Sequence, residues 1–210
     1  MAMDDKALAE EIKEAVGQAK EQTSEETEKM AEAVVEHIKT GIVSNVPTTV
    51  TGEAPPSGGP LLNGAATGGI ILLTDADLVA RFTIAFGLST AEIIGMAKAI
   101  SQHVALGLVE FATGSITGTC GNTATSGGPL VGEGTGGAIT GLDGDALATL
   151  MATLMLKPGA SEELKKMAKA IVDHVQDNAE VSYTTPSVTG TCSAGGGPIV
   201  AGAGAGGTIL

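Results

Sequence analysis

The chain contains three histidines, and they occupy equivalent positions in a repeated pattern. His37, His103 and His174 each lie seven residues after the methionine of a Met-Ala pair in a helical block. If three such imidazoles met on a threefold axis, their neutral nitrogens would suit Zn²⁺ with one open coordination position. The alternative is that each ring fills the same half-buried slot beside methionine and isoleucine, with one nitrogen bonded to a carbonyl. We expect this packing role, because equivalent residues of a repeat keep structural roles more readily than they form a metal site.

The two cysteines are also equivalent. Cys120 and Cys192 each end a Thr-Gly-Thr-Cys tetrapeptide, and Ala54 stands at the corresponding place of the first copy. A bond between them would close a loop of about 70 residues and stabilise the fold by about 4 kcal/mol in the chain-entropy model. Bonds between chains and two reduced apolar fillers are the alternatives. No lysine, arginine or histidine lies near in sequence to lower the pKa of either thiol, which disfavours a catalytic role.

A glycine-rich run between Gly132 and Gly137 is the remaining candidate for chemistry, as a phosphate loop. Such a loop needs a strand before it and a helix N-terminus directly after it. Here Ala138 and Ile139 continue as a strand, and the run lacks the Gly-Lys-Ser/Thr of a Walker loop. We therefore predict no cofactor and no enzymatic activity.

The charge and the aromatic content of the chain exclude some classes of binding partner. The chain has 24 acidic and 11 basic residues, a net charge of −13, and only three Phe, one Tyr and no Trp. This charge repels phosphate backbones and so few aromatic rings cannot stack bases, so we predict no nucleic-acid binding. The first residues are acidic where a signal peptide is basic, and no apolar run has the length of a membrane span. We therefore predict no signal peptide and no membrane partner.

Four anchors recur in the same order three times along the chain, which indicates three copies of one unit. They are the Met-Ala helical block, a Thr-Gly pair, a Gly-Gly-Pro before two aliphatic residues, and a closing run of small residues with an aliphatic end. The copies cover residues 1–72, 73–142 and 143–210. Because the period of roughly 70 residues exceeds that of common solenoid repeats, we predict three small tandem domains.

Each copy is predicted to contain two helices followed by a short Gly/Thr-rich β segment. Met30, Val34 and Ile38 share one face of a helix that Ser24 could cap, and the other copies repeat this phase. The first helices are predicted over residues 4–20, 75–86 and 145–156. Strands are predicted over residues 48–51, 115–119 and 187–191. The Gly-Gly-Pro is predicted to be a turn before two further strands. The predicted fold class is α+β, with three tandem repeats about a pseudo-threefold axis.

Short glycine-rich strands bury little and leave open edges, so we expect the copies to complete one another. The residues predicted to pair between copies or between chains are Ile70, Ile71, Leu72, Ile139, Ile209 and Leu210. The sequence leaves two arrangements open, closure within one chain and extension onto neighbouring chains. The first predicted partner is therefore the chain itself, in a homo-oligomer.

The helical pair, the Thr/Gly-rich β segment and the small-residue closing runs together resemble the virion structural proteins of tailed bacteriophages that decorate a head, collar or tail. This resemblance implies a non-enzymatic neck, collar, tail or capsid-decoration protein that attaches symmetrically to a particle. It also implies assembly in the host cytoplasm, location in the virion, and other virion structural proteins as partners. Two alternatives are a cellular self-assembling filament or shell protein, and a small metal-binding protein that uses the three histidines.

Overall fold

The computed structural model describes residues 3–17, 24–44, 49–121, 128–193, 197–204 and 206–210. This part of the chain is a mixed α+β structure, as predicted for the fold class. Its helices are α1 (Asp5–Val16), α2 (Glu25–Lys39), α3 (Asp75–Phe86), α4 (Ala91–Val104), α5 (Gly144–Leu154) and α6 (Glu162–Asn178). Its strands are β1 (Ile42–Ser44), β2 (Thr49–Ala54), β3 (Gly59–Pro60), β4 (Leu62–Thr67), β5 (Ile70–Leu72), β6 (Leu108–Cys120), β7 (Gly128–Thr140), β8 (Glu180–Cys192), β9 (Gly197–Gly204) and β10 (Gly207–Ile209).

The chain divides into two compact units, one helical and one built from strands. The helical unit consists of Met1–Gly41, Leu73–Gly107 and Gly141–Ala179. The β unit consists of Ile42–Leu72, Leu108–Thr140 and Glu180–Leu210. The compact units therefore differ from the tandem domains expected from the sequence. Each of the segments 1–72, 73–142 and 143–210 contributes helices to one unit and strands to the other.

Hydroxyl side chains begin the second helix of each segment. Ser24 Oγ accepts a hydrogen bond from the Thr27 N–H at 3.2 Å, and Thr90 Oγ1 accepts one from the Ile93 N–H at 3.3 Å. Ser161 caps α6 in the same way. Such caps satisfy backbone donors that have no partner inside the helix. The sequence predicted a hydroxyl cap within Thr23-Ser24 and within Ser89-Thr90, and in the structure the capping residues are Ser24 and Thr90.

The first helix of each segment lies close to its predicted bounds. The helix predicted over 75–86 is α3, and the one predicted over 145–156 is α5, which ends two residues earlier. In the first segment α1 ends at Val16. The next residue, Gly17, takes the left-handed conformation at φ 75° that favours glycine. Residues 18–20 of that predicted helix lie outside the described residues.

The six helices form a closed ring, in which each helix packs on the next and α6 packs on α1. The predicted apolar stripes face this packing, since Ile38, Ile100 and Ile171 are fully buried. Burial of each such side chain stabilises the fold by about 1.5–3 kcal/mol. Met96 and Met167 of the same stripes are only half-buried.

In the β unit six strands close into a barrel. The antiparallel pairs run β2–β4, β4–β6, β6–β7, β7–β8, β8–β9 and β9–β2. Three of them, β4–β6, β7–β8 and β9–β2, join strands of different segments. Next to β8, the strands β10, β1 and β5 pair in that order, and β3 pairs with β6. Closure pairs the strand edges that each segment would expose alone.

The Gly-Pro part of each Gly-Gly-Pro motif lies in a strand rather than in the predicted turn. Gly58, the first glycine of the first motif, does close a turn, with its N–H 3.0 Å from Pro55 O. Gly59 pairs with Cys120, Gly128 pairs with Cys192, and Gly197 pairs with Ala54, each across two segments. The prediction was wrong for the Gly-Pro residues because they start strands, and a side chain on Gly128 would collide with the backbone of the adjoining strand end. The first glycines of the second and third motifs, residues 127 and 196, lie outside the described residues.

The predicted short strands are parts of longer ones. In the second and third segments, the predicted strands over 115–119 and 187–191 lie inside the 13-residue strands β6 and β8. Near the start of β6, β8 and the short strand β1 lies a valine that pairs with an isoleucine of another strand. These pairs were not predicted from the sequence. The cross-strand pairs at this position, all buried, are Val43–Ile71, Val109–Ile139 and Val181–Ile209.

Glycines make room for the two aromatic rings of the β unit. Phe111 and Tyr183 stack with their centroids 5.2 Å apart. A Cβ atom on Gly137 would lie 2.5 Å from Phe111 Cζ, and one on Gly207 would lie 2.7 Å from Tyr183 Cε1. The rings therefore lie directly on backbone that only glycine allows at this distance.

Gly137→Ala is expected to lower the free energy of unfolding by about 1–3 kcal/mol, because the added methyl group collides with the buried Phe111 ring. Urea unfolding of the oxidised protein measures this loss. Gly159→Ala is the matched control, since a Cβ atom there meets no atom within 4 Å and its effect is expected to stay within about 0.5 kcal/mol. Equal stability of the two variants would contradict the packing of Phe111 on Gly137.

Candidate functional site

His37 lies at the junction of three helices. Its Nδ1 is 2.9 Å from Asp77 Oδ2 of α3, and its Nε2 is 3.1 Å from Ser101 Oγ of α4. Arg81 Nε also donates to Asp77 Oδ2, at 2.8 Å. With the proton on Nδ1, the neutral ring donates to the carboxylate and accepts from the hydroxyl. The His37 ring therefore connects α2 of the first segment to both helices of the second.

Burial sets the protonation of this junction. Burial lowers the pKa of His37, and the hydrogen bond and negative charge of Asp77 oppose that effect only in part. Burial tends to raise the pKa of Asp77, but the hydrogen bonds from His37 and Arg81 outweigh it and hold that pKa below its usual value. The junction thus combines a neutral imidazole with an ionised carboxylate.

His103 occupies the corresponding junction between the second and third segments. Its Nε2 accepts a hydrogen bond from the backbone N–H of Asp143, the residue before α5, at 3.2 Å. Burial lowers the pKa of His103, and the nearby charge of Asp143 opposes this in part. Because Nε2 is an acceptor here, the bond requires the neutral ring.

His174 joins the third segment back to the first. Its Nδ1 lies 3.0 Å from Glu11 Oε2 of α1 and 3.3 Å from Asn178 Nδ2 of its own helix. The ring is buried, and its Nε2 has no hydrogen-bond partner in the described part of the chain. The three histidines therefore share a position in the helix ring while their polar partners differ.

The structure does not bring the three imidazoles into one metal site. Among the described residues, no group of three or more His, Cys, Asp or Glu side chains is arranged to hold a metal ion. Instead each of His37, His103 and His174 bonds across a separate junction, α2–α3, α4–α5 or α6–α1. Their partners are a carboxylate, a hydroxyl and a backbone N–H rather than the expected carbonyl.

The cysteines form a disulfide within the chain. Cys120 at the end of β6 and Cys192 at the end of β8 are bonded, with 6.0 Å between their Cα atoms. Both are buried, and the start of β7 lies between their strands, with Leu130 paired to Cys120 and Gly128 paired to Cys192. Of the three alternatives that the sequence left open for the cysteines, the structure contains the bond between Cys120 and Cys192 within the chain. Crosslinks between chains and reduced fillers are not present.

The aliphatic ends of the segments divide into an inner and an outer set. Ile71, Ile139 and Ile209 are buried and pair with neighbouring strands inside the β unit, so they do not lie on an outer surface. Each of them pairs with a valine of its own segment, so the pairing between copies predicted for Ile71, Ile139 and Ile209 was wrong. Other strand pairs join the segments, among them β4–β6, β7–β8 and β9–β2. The exposed members are Ile70, Leu72 and Leu210.

The outer face of β1 and β5 carries exposed apolar side chains. Ile42 and Leu72 are opposite each other in register and are 53% and 54% exposed. Ile70 lies two residues from Leu72 on the same face of β5, and Leu210 follows β10. Exposed apolar surface of this kind marks contact sites in soluble proteins. This face is the candidate contact surface of the β unit.

Several residues of these sites were missed by the sequence reading. Asp77, Ser101 and Glu11 bond to the histidines from helices far away in sequence, so no local spacing identifies them. Ile42 was also missed. The buried valine that follows it in β1 recurs at the start of β6 and β8, and that recurrence was a usable signal.

Comparison with protein-family models, with curated protein sequences and with solved structures found no match. No helix in the described ranges is both long and apolar enough to cross a membrane. The geometry of the two units therefore carries the functional argument.

Removal of the disulfide by Cys120→Ala with Cys192→Ala is expected to lower the free energy of unfolding by about 4 kcal/mol, since the bond closes a loop between residues 72 apart. Guanidinium unfolding of the two oxidised proteins measures this difference. Reductant should lower the stability of the original chain to that of the variant and leave the variant unchanged. Insensitivity of the original chain to reductant would contradict a buried, stabilising bond.

Stability is also expected to fall as the pH drops below the ordinary histidine pKa of 6.5, because the pKa values of His37 and His103 are lowered in the folded state. The unfolded chain then binds protons that the folded chain excludes, so acid favours unfolding. Above about pH 7.5 these two groups contribute no slope. Urea unfolding between about pH 7.5 and 5 measures the effect.

Two controls accompany the pH series. NMR titration of the folded protein should place the pKa values of His37 and His103 below 6.5. The double variant His37→Gln, His103→Gln should show a flatter stability profile over the same pH range. A rise in stability on acidification would show that the charged rings are favoured and would refute the assignment.

Proposed function

We propose that this chain is a non-enzymatic structural protein, a pseudo-threefold block formed by the repeats 1–72, 73–142 and 143–210, that attaches to a larger assembly. The observation that carries the proposal is cyclic completion, in which each segment is completed by the next and the third by the first. Three parts of the structure support it: the strand pairs, the helix junctions and the remaining exposed apolar surface.

The strand pairs between segments follow one rule. The motif glycine of each segment lies opposite the end of the Thr-Gly strand of the following segment, as Gly59 with Cys120, Gly128 with Cys192, and Gly197 with Ala54. The last of these pairs joins the third segment to the first. A cyclic rule of this kind is what three copies about a pseudo-threefold axis require.

The helices obey the same cyclic order. His37, His103 and His174 each join the second helix of one segment to the first helix of the following segment. The chain therefore resembles a closed trimer whose three subunits are covalently linked. The six barrel strands of such a block pair both of their edges within the chain, which leaves its outer surface for attachment.

A virion component is the form of this function that we favour. A single chain with three equivalent faces can sit on a threefold or sixfold position of a particle, as the resemblance to tailed-phage proteins implies. The disulfide suits a protein that works outside a reducing compartment. The exposed apolar face at Ile42, Ile70 and Leu72 supplies a surface for contact with a particle.

The proposal predicts that the chain copurifies with virus-sized particles. Particles from the source culture are banded on a density gradient, treated with nuclease and banded again, and the chain is followed with an antibody. Retention at constant ratio to the major particle protein is expected. A chain found only in the fractions that contain no particles would overturn the virion assignment.

The mass of the purified chain separates the block from the alternative of a self-assembling filament or shell. Light scattering is expected to give a monomer of 20.7 kDa under oxidising conditions, not the homo-oligomer expected from the sequence, because the six barrel strands close within the chain. A discrete ring or an open polymer would favour the alternative. The double variant Ile42→Glu, Leu72→Glu should be unchanged in mass if the chain is a monomer, and would dissociate a polymer built on that face.

A further inference from the structure

Three equivalent methionines line one cleft at the end of the helical unit where α2, α4 and α6 begin. Met30, Met96 and Met167 enclose a cavity of about 410 Å³ together with Val16 and Phe86, the last residues of α1 and α3. Methionine side chains are flexible and polarisable, so they adapt to apolar groups of different shape. The cleft is open to solvent, and most of the residues that line it are apolar.

Leu156 at the same end of the unit is an independent observation. It follows α5, is 82% exposed and has a left-handed backbone with φ 59°. The corresponding residues after α1 and α3 are Gly17 and Gly87, for which that conformation carries no steric cost. A leucine here costs conformational energy and exposes apolar surface, so its presence is not explained by folding.

The segment that carries Leu156 is held against the start of α4. Lys157 forms an ion pair with Glu92 in the first turn of α4. Gly95 of α4 lies so close to the backbone of residues 154 and 155 that a side chain would collide with it. Leu156 is therefore presented next to the helix that supplies Met96.

Carboxylates border the apolar residues of the cleft. Glu26 in the first turn of α2 and Glu163 in the first turn of α6 line the cleft with the methionines. The whole chain has a net charge of −13. A second copy would bring the same acidic border into contact with this one, which disfavours self-association through the cleft. The charge complement of the cleft is a basic partner.

We propose that this cleft binds a basic amphipathic helix of a partner protein, whose apolar side chains enter between the methionines and contact Leu156. Lysine or arginine residues of that helix would meet Glu26 and Glu163. This is recognition of an amphipathic helix by an apolar groove with a charged border. The inference deepens the proposed function, on which its biological use rests, by naming the attachment surface and the chemistry of its partner.

The direct test is NMR of the full-length protein labelled at the methionine methyl groups. The probe is a synthetic amphipathic helical peptide made of leucine and lysine. Saturable shifts are expected for the half-buried Met96 and Met167, whereas the buried Met3 and Met151, which do not line the cleft, should not move. A peptide of identical composition, rearranged so that it has no apolar face, should produce no saturable shifts.

Variants test which side chains of the cleft contribute to peptide binding. Met96→Lys and Leu156→Gly should each weaken peptide binding by about fivefold or more, as expected for anchor residues. Leu156→Gly should also raise the melting temperature, because glycine removes the left-handed strain. Leu106→Ala is the matched control, since Leu106 is 72% exposed beyond the far end of α4. It should leave the affinity for the peptide unchanged.

The double variant Glu26→Gln, Glu163→Gln tests the acidic border. It should weaken peptide binding and reduce the dependence of affinity on salt, because two charged contacts are lost. Unchanged affinity and salt dependence would remove these two carboxylates from the proposed contact.

Three outcomes would overturn the proposal. The methionine signals do not move at millimolar peptide, or the rearranged peptide binds as well, or the shifts follow the concentration of the chain itself and a dimer appears by light scattering. If the peptide does not bind but the chain copurifies with particles, only the proposed binding surface is refuted. If the peptide binds but the chain does not copurify with particles, the virion assignment is refuted and the cleft is still a docking site.

Discussion

Pairing of strands between segments is the interaction on which the rest of this structure depends. Two-stranded, glycine-rich hairpins are marginal alone, and their outer backbone groups need partners. The pairs β4–β6, β7–β8 and β9–β2 supply those partners and close the barrel. The last of these pairs returns the third segment to the first. Cyclic order in the strands matches cyclic order in the helix ring.

Close approach of backbones explains both the glycines and the disulfide. Phe111 and Tyr183 pack against glycines of neighbouring strands, so the β unit is filled by two rings and a set of aliphatic residues. At one end of β7, the glycine that opposes Cys192 leaves room for the ends of β6 and β8 to be bonded. A larger residue at that glycine would collide with the backbone at the end of β6.

The helical unit uses one position for three chemically different junctions. His37 has two side-chain partners, His103 has a backbone donor, and His174 has a carboxylate on one nitrogen only. These hydrogen bonds specify which helices meet, although the buried His174 Nε2 has no partner in the described part of the chain. At the other end of the second helices the repeated methionines face a solvent-filled cleft. The same repeat thus supplies a closed junction at one end and an open apolar surface at the other.

Local patterns determined the helices, their caps at Ser24 and Thr90, the α+β class and the equivalence of the histidines and cysteines. Periodicity and capping act within a few residues, so sequence alone carries them. Only the tertiary structure decided that the Gly-Pro residues start strands, that Cys120 bonds Cys192, and that His37 bonds Asp77 instead of the expected carbonyl. Each of these outcomes depends on a partner some 40 or more residues away, selected by strand register and helix packing, which leave no mark on local spacing.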